Sequence, residues 1–243
     1  MLRVITDNEE SLTLAKTYKP IIYQEWQDIR DFLTPLMFKT VNGESILTDE
    51  RQQLLDIIEE IKKPTLYYKA MEDQYWWYIC YVVYHPWDWS DHPIGFIRKM
   101  DSHRHDTESI LLRIERSRPL FGRRGIGICT VHHSSFIFKR HSDRQVYIQP
   151  QGHGIKPLEP KMLKEDRNFI RYTNYDFVNW ANIKKPEWEK LRQKLKGVNL
   201  PDKQFDGQMN LRFRNRGEDN HRPGDIWKRP DALFRQAAIM NRI

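Results

Sequence analysis

Two stretches read together decide the fold: YWWYICYVVY at residues 75–84 and ESILLRI at residues 108–114. Both are dense in β-branched and aromatic residues, so each predicts a strand. Outward from them, residues 126–132, 136–139 and 146–149 repeat that composition, and Pro119, Gly122, Gly125, Pro150 and Gly152 punctuate the intervals as turns require. Five strands within about 75 residues predict a mainly β fold with a β-sandwich core. Helices are expected on either side of it, which makes the whole chain α+β.

On the amino-terminal side a helix is expected from Thr48 or Asp49 to Pro64, with Leu54, Leu55, Ile58 and Ile61 on one face and Asp49 and Gln52 spaced as a capping box. Trp26, Ile29, Phe32 and Leu33 have helical spacing and predict an earlier helix over residues 24–36. Beyond Pro160 the strand pattern loosens. Pro186 opens a short helix carrying Trp188, Leu191 and Leu195 and closed by Gly197; a basic loop and a last helix from Asp231 follow. The expected organisation is a helical extension at 1–66, the sandwich at 67–175 and a basic helical and loop extension at 176–243.

The chain of 243 residues is 39% apolar and 12% aromatic, enough for a core and incompatible with a collagen or a wholly disordered chain. No apolar run approaches the roughly 18 to 20 residues of a spanning helix, so no transmembrane segment is expected. The amino terminus turns acidic at Asp7, Glu9 and Glu10 before a signal-peptide core can form. A cytoplasmic protein is the expectation for the chain as written, with export by another route or carriage in a virus particle left open. Cys80 and Cys129 form no C-x-x-C pair and read as buried thiols. The net charge of +7 is uneven: residues 161–243 hold 19 basic and 11 acidic side chains, leaving 21 and 22 for residues 1–160.

Chemistry concentrates in residues 85–115, where four histidines and, up to Glu108, five carboxylates converge on an apolar strand. Residues two apart in a strand share a face, so Asp106 and Glu108 lie on the face of Ile110, Leu112 and Ile114. If that face lines the interior, both carboxylates sit at its mouth and require a cation, a proton or a basic partner. One solution is a divalent cation with His103 adding a nitrogen; one imidazole among carboxylate oxygens favours Mg, Ca or Mn over Zn. The other is a set of ion pairs with Arg98, Lys99 and Arg104. No zincin, nucleophile-elbow or P-loop signature is present.

The run His103-Arg104-His105-Asp106-Thr107-Glu108 resembles the G-H-R-H-D-W-E heptapeptide of the necrosis- and ethylene-inducing-like proteins, with Ser102 for Gly and Thr107 for Trp. Upstream, residues 81–88, YVVYHPWD, resemble that family's aromatic strand ending in a Tyr-Phe-Pro-Lys-Asp-like corner. Downstream, residues 130–135, TVHHSS, resemble its Ser-x-His-Gly strand, and Gly152-His153-Gly154 resembles the end of its later strand. The vacuolar protein sorting-associated class 62 family has the same order of features. The likeness, over residues 67–160, implies a β-sandwich with a divalent metal at one end and Asp88, His103, Asp106 and Glu108 as ligands, directly or through water. Asp91 and Asp101 are rival acids, and His105, His133 and His153 are further candidates to ligate or to orient a ligand carboxylate.

Three functions of different class follow. The first is a binding module whose metal end contacts a glycan or lipid head group, as the resembling toxins do; Trp87 and Trp89 suit such a surface, since indoles stack on sugars and sit at bilayer interfaces. The second is a metal-dependent hydrolase with Asp91, Asp101 or His105 as base. The third is a structural or virion-associated protein gripping nucleic acid or an acidic protein partner through its final third. There Arg212, Arg214 and Arg216 alternate with Leu211, Phe213 and Asn215.

Overall fold

The structure, a computed structural model, describes residues 1–28, 31–33, 38–39, 45–46, 63–88, 103–116, 125–132, 135–140 and 142–179, with the backbone alone at 38–39, 45–46, 86–88, 103–107, 131–132 and 135–136. In chain order the elements are β1 (Arg3–Val4), α1 (Asn8–Thr17), β2 (Ile21–Glu25), β3 (Phe38–Lys39), β4 (Ser45–Ile46), β5 (Thr65–Glu72), β6 (Trp76–Asp88), β7 (His103–Glu115), β8 (Ile126–His132) and β9 (Ser135–Lys139). They continue with β10 (Gln145–Ile148), β11 (Ile155–Pro157), β12 (Phe169–Tyr172) and β13 (Asp176–Asn179). The five expected strands are all present, as β6 to β10.

The fold is mainly β. One sheet runs β1-β5-β6-β7-β8-β9, with β13 pairing the first half of β5, and a second runs β11-β10-β2-β12. Every pairing within the run β5 to β9 is antiparallel. The two sheets face each other across one core. The larger contributes Leu66, Tyr68 and Ala70 of β5, Ile79, Tyr81 and Val83 of β6, Ile110, Leu112 and Ile114 of β7, and Ile128 of β8. Ile22 of β2, Val146 and Ile148 of β10 and Ile155 of β11 meet them from the smaller sheet. On the other face of the larger sheet Tyr67, Met71, Tyr78, Cys80, Val82, Tyr84, Leu111 and Cys129 are buried as well. Burial on both faces explains why residues 75–84 read as a nearly continuous apolar run rather than an alternating one. Both cysteines are free and buried, as expected.

The β5–β6 hairpin is fixed by Asp73. Its Oδ1 accepts from the backbone N–H groups of Tyr75 and Trp76, 2.8 Å each, and its Oδ2 accepts from the Tyr78 hydroxyl at 3.0 Å. From that turn the β6–β7 ladder runs in one unbroken register, from Trp76 opposite Glu115 to Asp88 opposite His103.

Helix α1 has a local cause. Asp7 caps it by accepting the Glu10 N–H at 2.8 Å, and Glu9 and Glu10 sit in the first turn, where negative charge suits the helix dipole. Ten residues are too few for an isolated helix to persist, so docking must hold it. Ser11, Leu14 and Ala15 are buried, and the Tyr81 hydroxyl donates to the Ala15 carbonyl at 2.9 Å.

The helix expected over residues 24–36 is corrected at its start: Gln24 and Glu25 end β2, which lies parallel to β10 and antiparallel to β12. Pairing on both sides satisfies the backbone of those residues in the sheet and overrides the helical spacing of Trp26, Phe32 and Leu33. The helices expected over residues 48–64, after Pro186 and from Asp231 lie outside the described residues, apart from Lys63 and Pro64. Of the segments flanking residues 67–175, β1, β2, part of β5 and β13 all pair into the two sheets.

Candidate functional site

The β6 stripe facing the core, Trp77, Ile79, Tyr81 and Val83, continues by its two-residue period to His85. His85 is fully buried and stands opposite Asp106 in the register; Val83 stands opposite Glu108. Positions 106 and 108 therefore lie on the core side of β7, in line with Ile110, and Glu108 is half-buried. Asp88 is opposite His103 at the last rung, three residues beyond the His85–Asp106 rung, and those two take the alternate positions. The register thus brings Asp106, Glu108 and His85 to one face and sets the Asp88–His103 pair at the rim on the other.

Four fully buried polar side chains meet at this end of the core: His85, Gln24, His153 and Asp31. The rings of His85 and His153 stack with centroids 3.7 Å apart and planes within 3°. Gln24 reaches in from β2, donating its amide N–H to the carbonyls of Glu25 at 2.8 Å and Gln149 at 3.4 Å. That orientation leaves Gln24 Oε1 to face His85 Nε2 at 3.1 Å, so the network assigns the ring proton to Nε2, which donates. His85 Nδ1 is then an acceptor, and among the described residues it is buried with no hydrogen-bond partner. Burial, reinforced by neighbouring His153, holds the His85 pKa well below the ordinary histidine value and keeps the ring neutral.

His153 is placed by the loop between β10 and β11, whose Gln151 and His153 take left-handed backbone angles, φ 67° and 44°. Such angles cost a non-glycine residue on the order of 1 kcal/mol and persist where surrounding bonds fix them. Asp31 does that fixing. Its Oδ1 lies 3.2 Å from His153 Nε2 and accepts the Gln151 N–H at 2.8 Å; its Oδ2 accepts the N–H groups of Gln27 and Asp28 at 2.8 and 3.0 Å. Burial by itself raises the Asp31 pKa; the hydrogen bonds from His153 and the three backbone groups outweigh it and leave the carboxyl below its usual range.

Of the residues singled out from the sequence, Trp87 and His105 lie within the β6–β7 ladder together with Asp88, His103, Asp106 and Glu108, and His153 lies in the buried cluster. Trp89, Asp91, Asp101, His133 and the basic patch Arg212, Arg214 and Arg216 lie outside the described residues. Sequence reasoning missed His85, Asp31 and Gln24. A histidine ending an apolar alternation was the available signal for His85; Gln24 and Asp31 reach the site only through contacts more than 60 residues apart in the chain. Among the described residues, no group of three or more His, Cys, Asp or Glu side chains has the geometry of a metal centre. No helix there is long and apolar enough to cross a membrane.

No protein-family model and no curated protein matches the chain. Similar solved structures are necrosis- and ethylene-inducing-like proteins, the family that residues 102–108 resemble. One is described as a toxin fold for microbial attack and plant defense, at 12% identity over 73% of this chain and 77% of that one, with a TM-score of 0.46. NLPPya in complex with glucosamine is 12% identical over 76% of this chain and 81% of its own, with a TM-score of 0.47, and NLPPya in complex with mannosamine gives the same values. At such distances the site stands on this chain's own residues.

Proposed function

We propose that the chain is a divalent-cation-binding sandwich module whose ion end recognises a glycan or a lipid head group. The observation that carries the reading is the β6–β7 register, which puts the acidic positions 106 and 108 on the core face beside His85 and ends the ladder on Asp88 opposite His103. Acidic groups at neighbouring positions of one strand face repel one another, and a doubly charged ion between them relieves that repulsion. The donor types on that face suit an ion: carboxylates at 106 and 108 and, among the described residues, a buried ring nitrogen of His85 without a hydrogen-bond partner. Asp106 and Glu108 would hold the ion with waters filling its remaining positions, while Asp88 and His103, which the sequence likeness adds to the set, stand at the rim on the other face of the ladder. Mg, Ca or Mn is the ion that this oxygen-rich set takes, and when bound it presents positive charge and open positions to sugar hydroxyls or a head-group oxygen.

Elemental analysis of the protein dialysed against Mg²⁺, Ca²⁺ or Mn²⁺, repeated on Asp106→Ala and Glu108→Ala, tests the ion. One equivalent in the parent and none in either variant is expected; a folded parent that retains no ion overturns the reading. The ligand arm uses glucosamine in calorimetric titration and glycolipid vesicles in flotation, each with the ion and with EDTA. Binding that EDTA leaves intact would separate ligand recognition from the ion.

A further inference from the structure

We infer that the end of the sandwich remote from the acidic rungs docks on anionic phospholipid bilayers, and does so without an ion. Strands β6 and β7 have 13 residues each, so at about 3.3 Å per residue the rung Trp76–Glu115 lies roughly 40 Å from the rung Asp88–His103. The surface shares no residue with the proposed ion site and stands independently of it.

Topology gathers basic side chains at this end. Arg3 pairs with Glu72 at the close of β5, the Arg116 N–H donates to the Tyr75 carbonyl at 2.9 Å, and Arg140 follows β9 just before the Ser142 N–H returns to the Ile126 carbonyl. With Arg113, these face Glu72, Asp73 and Glu115. Glu72 is buried and shared between Arg3 and Arg116, the latter at 2.9 Å, so one carboxylate answers two guanidinium groups. Asp73 is committed to its turn, while Arg140 is exposed. The connector from Arg116 to Gly125 leaves and returns at this end, because the Glu115 N–H donates to the Gly125 carbonyl at 2.9 Å, and its sequence adds Arg118, Arg123 and Arg124 with no acid. Seven arginines against three carboxylates leave a positive surplus, and Asp143 and Arg144, next along the chain, cancel each other.

Apolar surface supplies the second observation. Tyr75, at the tip of the β5–β6 hairpin, is 62% exposed, and Val4 on the adjoining β1 is 39% exposed. Behind the tip Trp76 and Trp77 are half-buried, with the Arg113 Cζ 4.3 Å from the Trp76 ring and the Arg116 Cζ 5.6 Å from the Trp77 ring. Indole and phenol rings settle at the head-group level of a bilayer, and guanidinium groups match phosphate through paired hydrogen bonds. The exposed side chains decide between polyanions. A bilayer interface takes up Tyr75 and Val4, whereas a nucleic acid strand needs open ring faces on which bases stack, and a guanidinium already covers one face of each indole.

The test floats the full-length protein in EDTA with glycolipid-free phosphatidylcholine vesicles, with and without phosphatidylserine. Binding is expected only where phosphatidylserine is present, and it should weaken as salt screens the surface. Arg140→Glu changes the charge by two units at an exposed position and should weaken binding about 25-fold, roughly fivefold per unit. Tyr75→Ser should weaken it several-fold while leaving the salt dependence unchanged, because the charge is the same. Asp106→Ala, in the proposed ion site, should float as the parent does, so failure of either reading leaves the other standing. A parent that stays unbound to phosphatidylserine vesicles in EDTA overturns the inference. So does one that binds equally after Arg140→Glu and Tyr75→Ser, or that prefers a single-stranded oligonucleotide to the vesicles in competition.

Discussion

Asp31 anchors the His153 side of the buried cluster. It is fully buried and accepts from three partly buried backbone N–H groups as well as meeting the buried His153, so its removal takes away the partner of all four. Asp31→Ala is expected to cost about 3–5 kcal/mol, the range for breaking a buried charged partnership, and Asp31→Asn less, because one oxygen acceptor survives. Urea midpoints at neutral pH measure both. The same residues set a pH dependence. His85 and Asp31 have folded pKa values below their ordinary 6.5 and 3.8, so the unfolded chain binds protons more readily and stability rises with pH. The His85 contribution is complete above pH 6.5 and declines as pH falls below it; that of Asp31 begins to decline only below 3.8. In EDTA, the parent is expected to lose stability between about pH 7 and about pH 5.5 by up to about 1.4 kcal/mol per unit, and His85→Phe to lose less. Parallel slopes for the two proteins would contradict the assignment.

Strands β6 and β7 carry the architecture, because their ladder sets both the core face and the rung on which His85 meets position 106. Leu112 is fully buried at the middle of β7 opposite Ile79. Leu112→Ala should destabilise by about 2–5 kcal/mol through lost transfer energy and the cavity left behind. A midpoint within error of the parent's would mean that the inner face is not packed as described. These strands were legible in the sequence because composition alone marks a stretch buried on two faces. β2 was not. It spans five residues, one of its two inward positions is the polar Gln24, and its partners β10 and β12 come more than a hundred residues later, so the alternation that marks a strand is masked. Helix α1 is legible in principle from Asp7 with Glu9 and Glu10 behind it, a capping residue followed by first-turn acids. At the site, the shared face of Asp106 and Glu108 follows from the period of two; the His85–Gln24 and His153–Asp31 bonds do not, since they join elements 61 and 122 residues apart.

Across the whole molecule the order of strands in space departs from their order along the chain. β2, from the first 25 residues, is an inner strand of the second sheet, between β10 and β12. α1 docks on the larger sheet through Leu14, Ala15 and the bond from Tyr81, while β1 and β13 share the edge of β5, pairing respectively with residues 71–72 and 65–68. Residues 67–175 by themselves would therefore leave β10 and β12 without the strand that joins them, expose the Ala15 side of the core, and remove Gln24 and Asp31 from the polar cluster. A sheet interrupted at an inner position leaves unpaired backbone groups facing an apolar interior, which costs more than a small core recovers. The fragment 67–175 is expected to lack dispersed amide resonances and a cooperative thermal transition, and the full chain to show both. Adding residues 1–66 as a separate polypeptide should restore them, because the missing strand pairs through its backbone and needs no covalent link to β5. A fragment 67–175 that melts cooperatively without that supplement would show that the second sheet closes without β2, and the placement of Gln24 against His85 would fall with it.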